Sequence, residues 1–185
     1  MKINWVFADR VVLDPMVNID QLKKIGSLWG SWQTWRACQT DNVICNNAEK
    51  AQELVDNKFQ TLCNFYIPNS VYATLDHPVG IQKYEGAFVH EVDNQDEIVA
   101  MHLAASTSDI ILLLGFDFTE HQPILDQDLE LRAHNYRNLT RHAIMDYNQV
   151  QWVVVDHPDP LDPNLANLPN ISTDTLQAVL ALASD

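Results

Sequence analysis

Asp109-Ile110-Ile111-Leu112-Leu113-Leu114-Gly115-Phe116-Asp117-Phe118 is the stretch that decides the fold. Ile110 to Leu114 shows no polar alternation, so a strand made from it is covered on both faces. Such a strand belongs to a parallel sheet with helices above and below it. A second run of the same kind, Val150 to Val155, follows a helical stretch over Leu131 to Tyr147. These two strands are expected as the central pair of the sheet.

Working outward, Ile3 to Ala8 reads as a first strand. Asn18 caps a helix that buries Ile19, Leu22 and Ile25 and closes at Gly26. Asn42 to Asn46 is a second strand, Ala48 to Phe59 a helix with Ala51, Leu54, Val55 and Phe59 on one face, and Thr61 to Ile67 a third strand halted by Pro68. Residues 69 to 92 are less regular and predict a short helix with one or two edge strands. Asp93 to Ser106 predicts a helix capped by Asp93, with Asp96 and Glu97 in the first turn, where the helix dipole favours negative charge. The proline-rich passage from His157 to Pro169 is expected to run irregularly over the surface, after which Ser172 caps a last helix burying Leu176, Val179, Leu180 and Ala183. The alternation of strands and helices predicts one α/β domain over residues 1–185, mainly a parallel sheet flanked by helices, in a Rossmann-like arrangement.

Trp29, Trp32 and Trp35 recur every three positions, which on a helix lines the indoles along one side. Such a stripe serves either as packing against the sheet or as an aromatic contact surface for a partner or a second copy.

At 185 residues with 46% apolar content, the chain can bury a core without disulfides or metal. Cys38, Cys45 and Cys63 sit in apolar or amphipathic stretches and read as reduced core thiols; there is no CxxC, and no zinc is expected. Residues 1–6 are too short for a signal peptide, and no apolar span reaches about 20 residues. A soluble, cytoplasmic protein away from membranes is the expectation. The formal net charge of -14 repels nucleic-acid backbones and anionic lipid, so direct binding of either is not expected.

In an open α/β sheet, ligands bind beyond the carboxyl ends of the strands. The loops there supply Asp9 and Arg10, then Asn46, then Gly115 and Asp117, then Asp156 and His157. Each also has an ordinary reading, as a helix cap or a turn former. No GxGxxG, GxxxxGK[ST] or GxSxG is present, so no dinucleotide, P-loop or serine-hydrolase site is indicated, and no cofactor or metal is expected. His134, His142 and Asp146 share helical spacing, but neighbouring Asn135, Asn138 and Arg141 make theirs a solvated face.

Leu113-Leu114-Gly115-Phe116-Asp117-Phe118, together with Val153 to Leu180 and its Leu168-Pro169-Asn170-Ile171-Ser172 segment, resembles the C-terminal half of Rossmann-like sialyltransferases and of motility-associated glycosyltransferase-like proteins. That resemblance implies a nucleotide-activated sugar or a related phosphate-bearing substrate. Where those families carry a Gly-x-Gly-Pro-Ser-like loop after the first strand, this chain has Ala8-Asp9-Arg10-Val11-Val12. The whole chain also resembles small proteins of bacteriophages and marine bacteria.

Two functions remain open at this point. One is a noncatalytic interaction protein of the phage-encoded type, using the acidic surface or the tryptophan stripe against a partner or itself. The other is a nucleotide- or sugar-binding protein with Asp117 and Asp156 as anchors and His157 as an acid or base.

Overall fold

A computed structural model describes residues 1–9, 18–76, 78–85, 96–118 and 127–182. Among these, eight strands form one sheet: β1 (Ile3–Phe7), β2 (Ser27–Ser31), β3 (Asn42–Ile44), β4 (Asn64–Pro68), β5 (Gln82–Tyr84), β6 (Ile110–Leu114), β7 (Gln151–Val155) and β8 (Ile171–Asp174). Their order is β5-β4-β3-β2-β1-β6-β7-β8, and every pairing is parallel. This is the α/β, Rossmann-like arrangement that the apolar run at 110 to 114 predicts. The expected central pair, β6 and β7, is adjacent but not central: β2 and β1 hold the middle of the sheet and β7 lies next to the edge strand β8, because three strands beyond β2 extend the other side.

The helices are α1 (Ile19–Ile25), α2 (Trp32–Cys38), α3 (Ala48–Asp56), α4 (Asn69–Tyr72), α5 (Asp96–Ala105), α6 (Gln127–Asp146), α7 (Pro163–Ala166) and α8 (Leu176–Leu182), with a 3-10 turn at Phe59–Thr61. Side-chain alternation along the strands sorts them into two layers. Val6, Trp29, Ile44, Ile111, Leu113, Trp152 and Val154 face α5 and α6. On the opposite side Trp5, Phe7, Leu28, Leu112 and Leu114 face α1 and α8, while Val43, Phe65 and Ile67 face α3 and α4. Gly26 lies where β2 begins, and a Cβ there would collide with the Ile3 carbonyl, so the close approach of β1 requires glycine.

α5 returns the chain from the β5 edge to β6 and lies across β1, β2 and β3. Ile98 to Met101, Ala104 and Ala105 are all buried, as expected of a helix apolar on every side. Its head therefore arrives at the carboxyl ends of the central strands.

Three local expectations are corrected. Trp29 belongs to a strand, β2, that the spacing of tryptophans concealed; the helix begins only at Trp32, where the Ser31 hydroxyl accepts the N–H groups of Gln33 and Thr34. Spacing by three across a strand-to-helix junction lines up no common face. Ser172 is inside β8, a strand too polar to announce itself, and the last helix starts at Leu176. The proline-rich passage holds a turn of helix, with Pro163 in its first positions, Asp162 capping it and Leu165 buried. Asp93 and Ala183 lie outside the described residues. No helix among the described residues is long and apolar enough to cross a membrane.

Candidate functional site

β1 and β6 are neighbours, yet the chain leaves β1 toward β2 and leaves β6 toward β7, in opposite directions along the sheet. That reversal is a topological switch point, and the crevice outside its carboxyl ends is where such sheets take ligands. Asp9 follows β1, and Asp117 follows β6 through Gly115, whose φ of 81° suits glycine.

Two consecutive acids at the head of α5 complete the site. The Asp9 N–H donates to Glu97 Oε2 at 2.7 Å, and the Asn46 N–H donates to Asp96 Oδ1 at 2.9 Å. One helix turn thus ties down the loops after β1 and β3. Asp9 Oδ1 accepts from Thr34 Oγ1 at 3.3 Å, and Thr34 packs so closely on Gly30 that a Cβ there would lie 3.0 Å from it. Tyr84 reaches from β5 to donate its hydroxyl to Asn46 Oδ1, while the buried Asn46 Nδ2 has no partner among the described residues. Tyr136 of α6 hydrogen-bonds Glu97.

The electrostatics follow from crowding acids out of water. Burial pushes Asp96 up to about 7 against the Asn46 N–H bond that favours its charge, and Asp9 and Glu97 push in the same direction. Glu97 is likewise pushed up to about 7, first by burial and then by the charge of Asp9. Burial also raises Asp9, although its bonds to Ser31, Thr34 and Glu97 pull the other way. The Asp9 and Glu97 side chains are hydrogen-bonded to each other, which two carboxyl groups achieve only by sharing a proton. Tyr136 is held well above the ordinary phenol range by burial, then by Glu97, Asp9 and Asp117. Among the described residues the ion pairs join Met1 to Asp109, Lys23 to Asp41 and Lys50 to Glu53, all elsewhere. No group of three or more His, Cys, Asp or Glu among them is placed to hold a metal ion.

Of the residues expected from sequence, Asp9, Asn46 and Asp117 come to this site, with Gly115 shaping the turn. Arg10 lies outside the described residues. Asp156 and His157 do structural work nearby: Asp156, with φ 53°, accepts the Leu176 N–H at 2.8 Å and so caps α8, and His157 binds the Phe118 backbone. Both His157 nitrogens are engaged, the second with the Asp159 carbonyl at 2.6 Å.

The tryptophans do not form one surface. Trp29 is 7% exposed, in the core beneath α5 and 5.2 Å from the Tyr66 ring. Trp32 and Trp35 pack on the other side of the sheet, Trp35 edge-on to Phe59 and Trp32 between the cations of Arg36 and Lys50. The thiols offer no nucleophile either, because burial pushes Cys45 and Cys63 up to about 12.

Sequence reasoning missed Asp96, Glu97 and Tyr136. The first two read as ordinary dipole partners of a helix N-terminus, but acids opening a helix that is apolar all round are buried with it. That contrast was the available signal. Compared with protein-family models, curated proteins and solved structures, the chain finds no match in any of the three.

Proposed function

We propose that this chain binds a small hydroxyl-rich ligand, a sugar or the nucleoside part of a nucleotide, at the carboxyl ends of β1 and β6. The observation that carries this reading is the pair Asp96 and Glu97, brought by α5 to the switch point and there held as desolvated acids beside Asp9. Buried carboxyls raised this far oppose folding at neutral pH, and such groups concentrate at functional sites. Carboxylates and a phenol accept from hydroxyl and amino groups in fixed directions, which suits a sugar ring or a base edge. A bare phosphate would meet like charge there. The interaction-protein reading keeps the net charge of -14 but loses the tryptophan stripe.

Thermal melting against monosaccharides, nucleosides, nucleotides and nucleotide sugars, with and without magnesium, tests the proposal. Sugars or nucleosides should raise the melting temperature, with about 2.7 kcal/mol of stabilisation at 100 times the Kd, and Asp9→Asn or Asp117→Asn should diminish the shift. An unchanged melting temperature across the whole set would overturn the reading.

A further inference from the structure

We propose that His157 is a proton-sensitive latch on the turn that carries Asp117 to the switch point. Phe116 and Phe118 are buried while Asp117 between them is exposed, so the pinning of its two neighbours sets the backbone from which Asp117 projects. The pins come from the loop between β7 and α7. The Phe118 N–H donates to His157 Nε2 at 3.0 Å, and the Phe118 carbonyl accepts the Asp162 N–H at 2.7 Å. The Phe118 ring stacks on Phe116 at 5.4 Å and on the His157 imidazole at 6.3 Å.

These partners fix the tautomer. A backbone N–H can only donate and a carbonyl can only accept, so Nε2 is bare and Nδ1–H donates to the Asp159 carbonyl. A proton added at Nε2 sets two donors face to face, and the Phe118 bond is lost. Among the described residues, the titratable groups around the ring are Asp117 on the turn and Asp156, Asp159 and Asp162 on the loop. Asp156 and Asp162 are already occupied, accepting the N–H groups of Leu176 and Asn164. Opening loosens the backbone that carries Asp117, whose charge acts on Tyr136, the residue that bonds Glu97. Acidification therefore loosens one wall of the site. The bearing of this on ligand affinity rests on the proposed function; the latch itself does not.

The test needs no ligand. Nitrogen-15 NMR of the full chain follows the His157 ring and the Phe118 amide together through an acid titration. The Phe118 protection factor against hydrogen exchange should fall about tenfold as the ring gains its proton, the size expected for one net hydrogen bond. In His157→Gln, whose amide oxygen reaches the Nε2 position but cannot titrate, Phe118 should stay protected throughout. A protection factor that stays flat in the natural chain while the ring titrates would overturn the latch, whatever the variant does. Failure of every sugar and nucleoside to bind would leave this result standing, so the two proposals fail separately.

Discussion

The two edges of the sheet handle their polar residues in opposite ways. At the amino ends of the strands most polar side chains are neutral amides and hydroxyls bonded to one another or to backbone carbonyls, although the buried Thr40 hydroxyl finds no partner among the described residues. Asn4 donates to the Ala104 carbonyl and Ser108, Asn42 donates to Ser27, Asn64 donates to Asn42, and Asn170 donates to the carbonyls of Ile144, Tyr147 and Val150. The carboxylates there are not crowded out of water: Asp41 is only partly buried, accepts the Leu28 N–H and is paired with Lys23 at 2.9 Å, and Asp109 is exposed beside the Met1 amino group. At the carboxyl ends, Asp9, Asp96 and Glu97 crowd together and are raised by desolvation. One edge is built for stability and the other against it, and that contrast is what the proposed binding site rests on.

The comparison can be broken at several points. The core between the edges should show the largest effect: Trp29→Ala, removing a side chain packed under α5 and on Tyr66, should cost about 3 to 5 kcal/mol in urea unfolding without changing the mass in solution. A change of mass with little loss of stability would restore the interface reading. At the amino edge, Asn170→Ala removes the amide that serves the Ile144 and Val150 carbonyls, the Tyr147 carbonyl keeping its bond from the Val150 N–H, and should cost about 2 to 3 kcal/mol. A loss below about 0.5 kcal/mol would show that this edge is not the structural one. The smallest effect belongs to Lys23→Met, which breaks a partly exposed pair and should cost no more than about 1 kcal/mol, less in high salt.

How much of this the sequence revealed depends on how each element meets the sheet. Strands buried on both faces, Ile110 to Leu114 and Val150 to Val155, write their environment as unbroken hydrophobicity. β2 holds Ser27, Gly30 and Ser31 around Leu28 and Trp29, and β8 is an edge strand with mostly exposed side chains, so neither carries that signature. The site was half legible for the same reason. Asp9, Asn46 and Asp117 follow recognisable strands, which is a local fact. Asp96, Glu97 and Tyr136 join them only because α5 crosses over β1 to β3 and α6 packs alongside, and that placement is set by the strand order.

Asp96→Asn tests the contrast most directly, since the amide keeps an oxygen to accept the Asn46 N–H while removing the charge. Because folding raises Asp96 to about 7, the folded chain binds this proton more tightly than the unfolded chain, and the stability it confers at low pH is lost as pH rises toward 7. The variant has no such loss. Urea unfolding of both proteins from about pH 5 to 8 should show the stability difference moving in favour of Asp96→Asn by about 1 to 3 kcal/mol, levelling off above pH 7. A difference that stays constant, or that moves in favour of the natural chain as pH rises, would mean that the fold relies on the charged carboxylate, and the carboxyl edge would then be structural like its opposite.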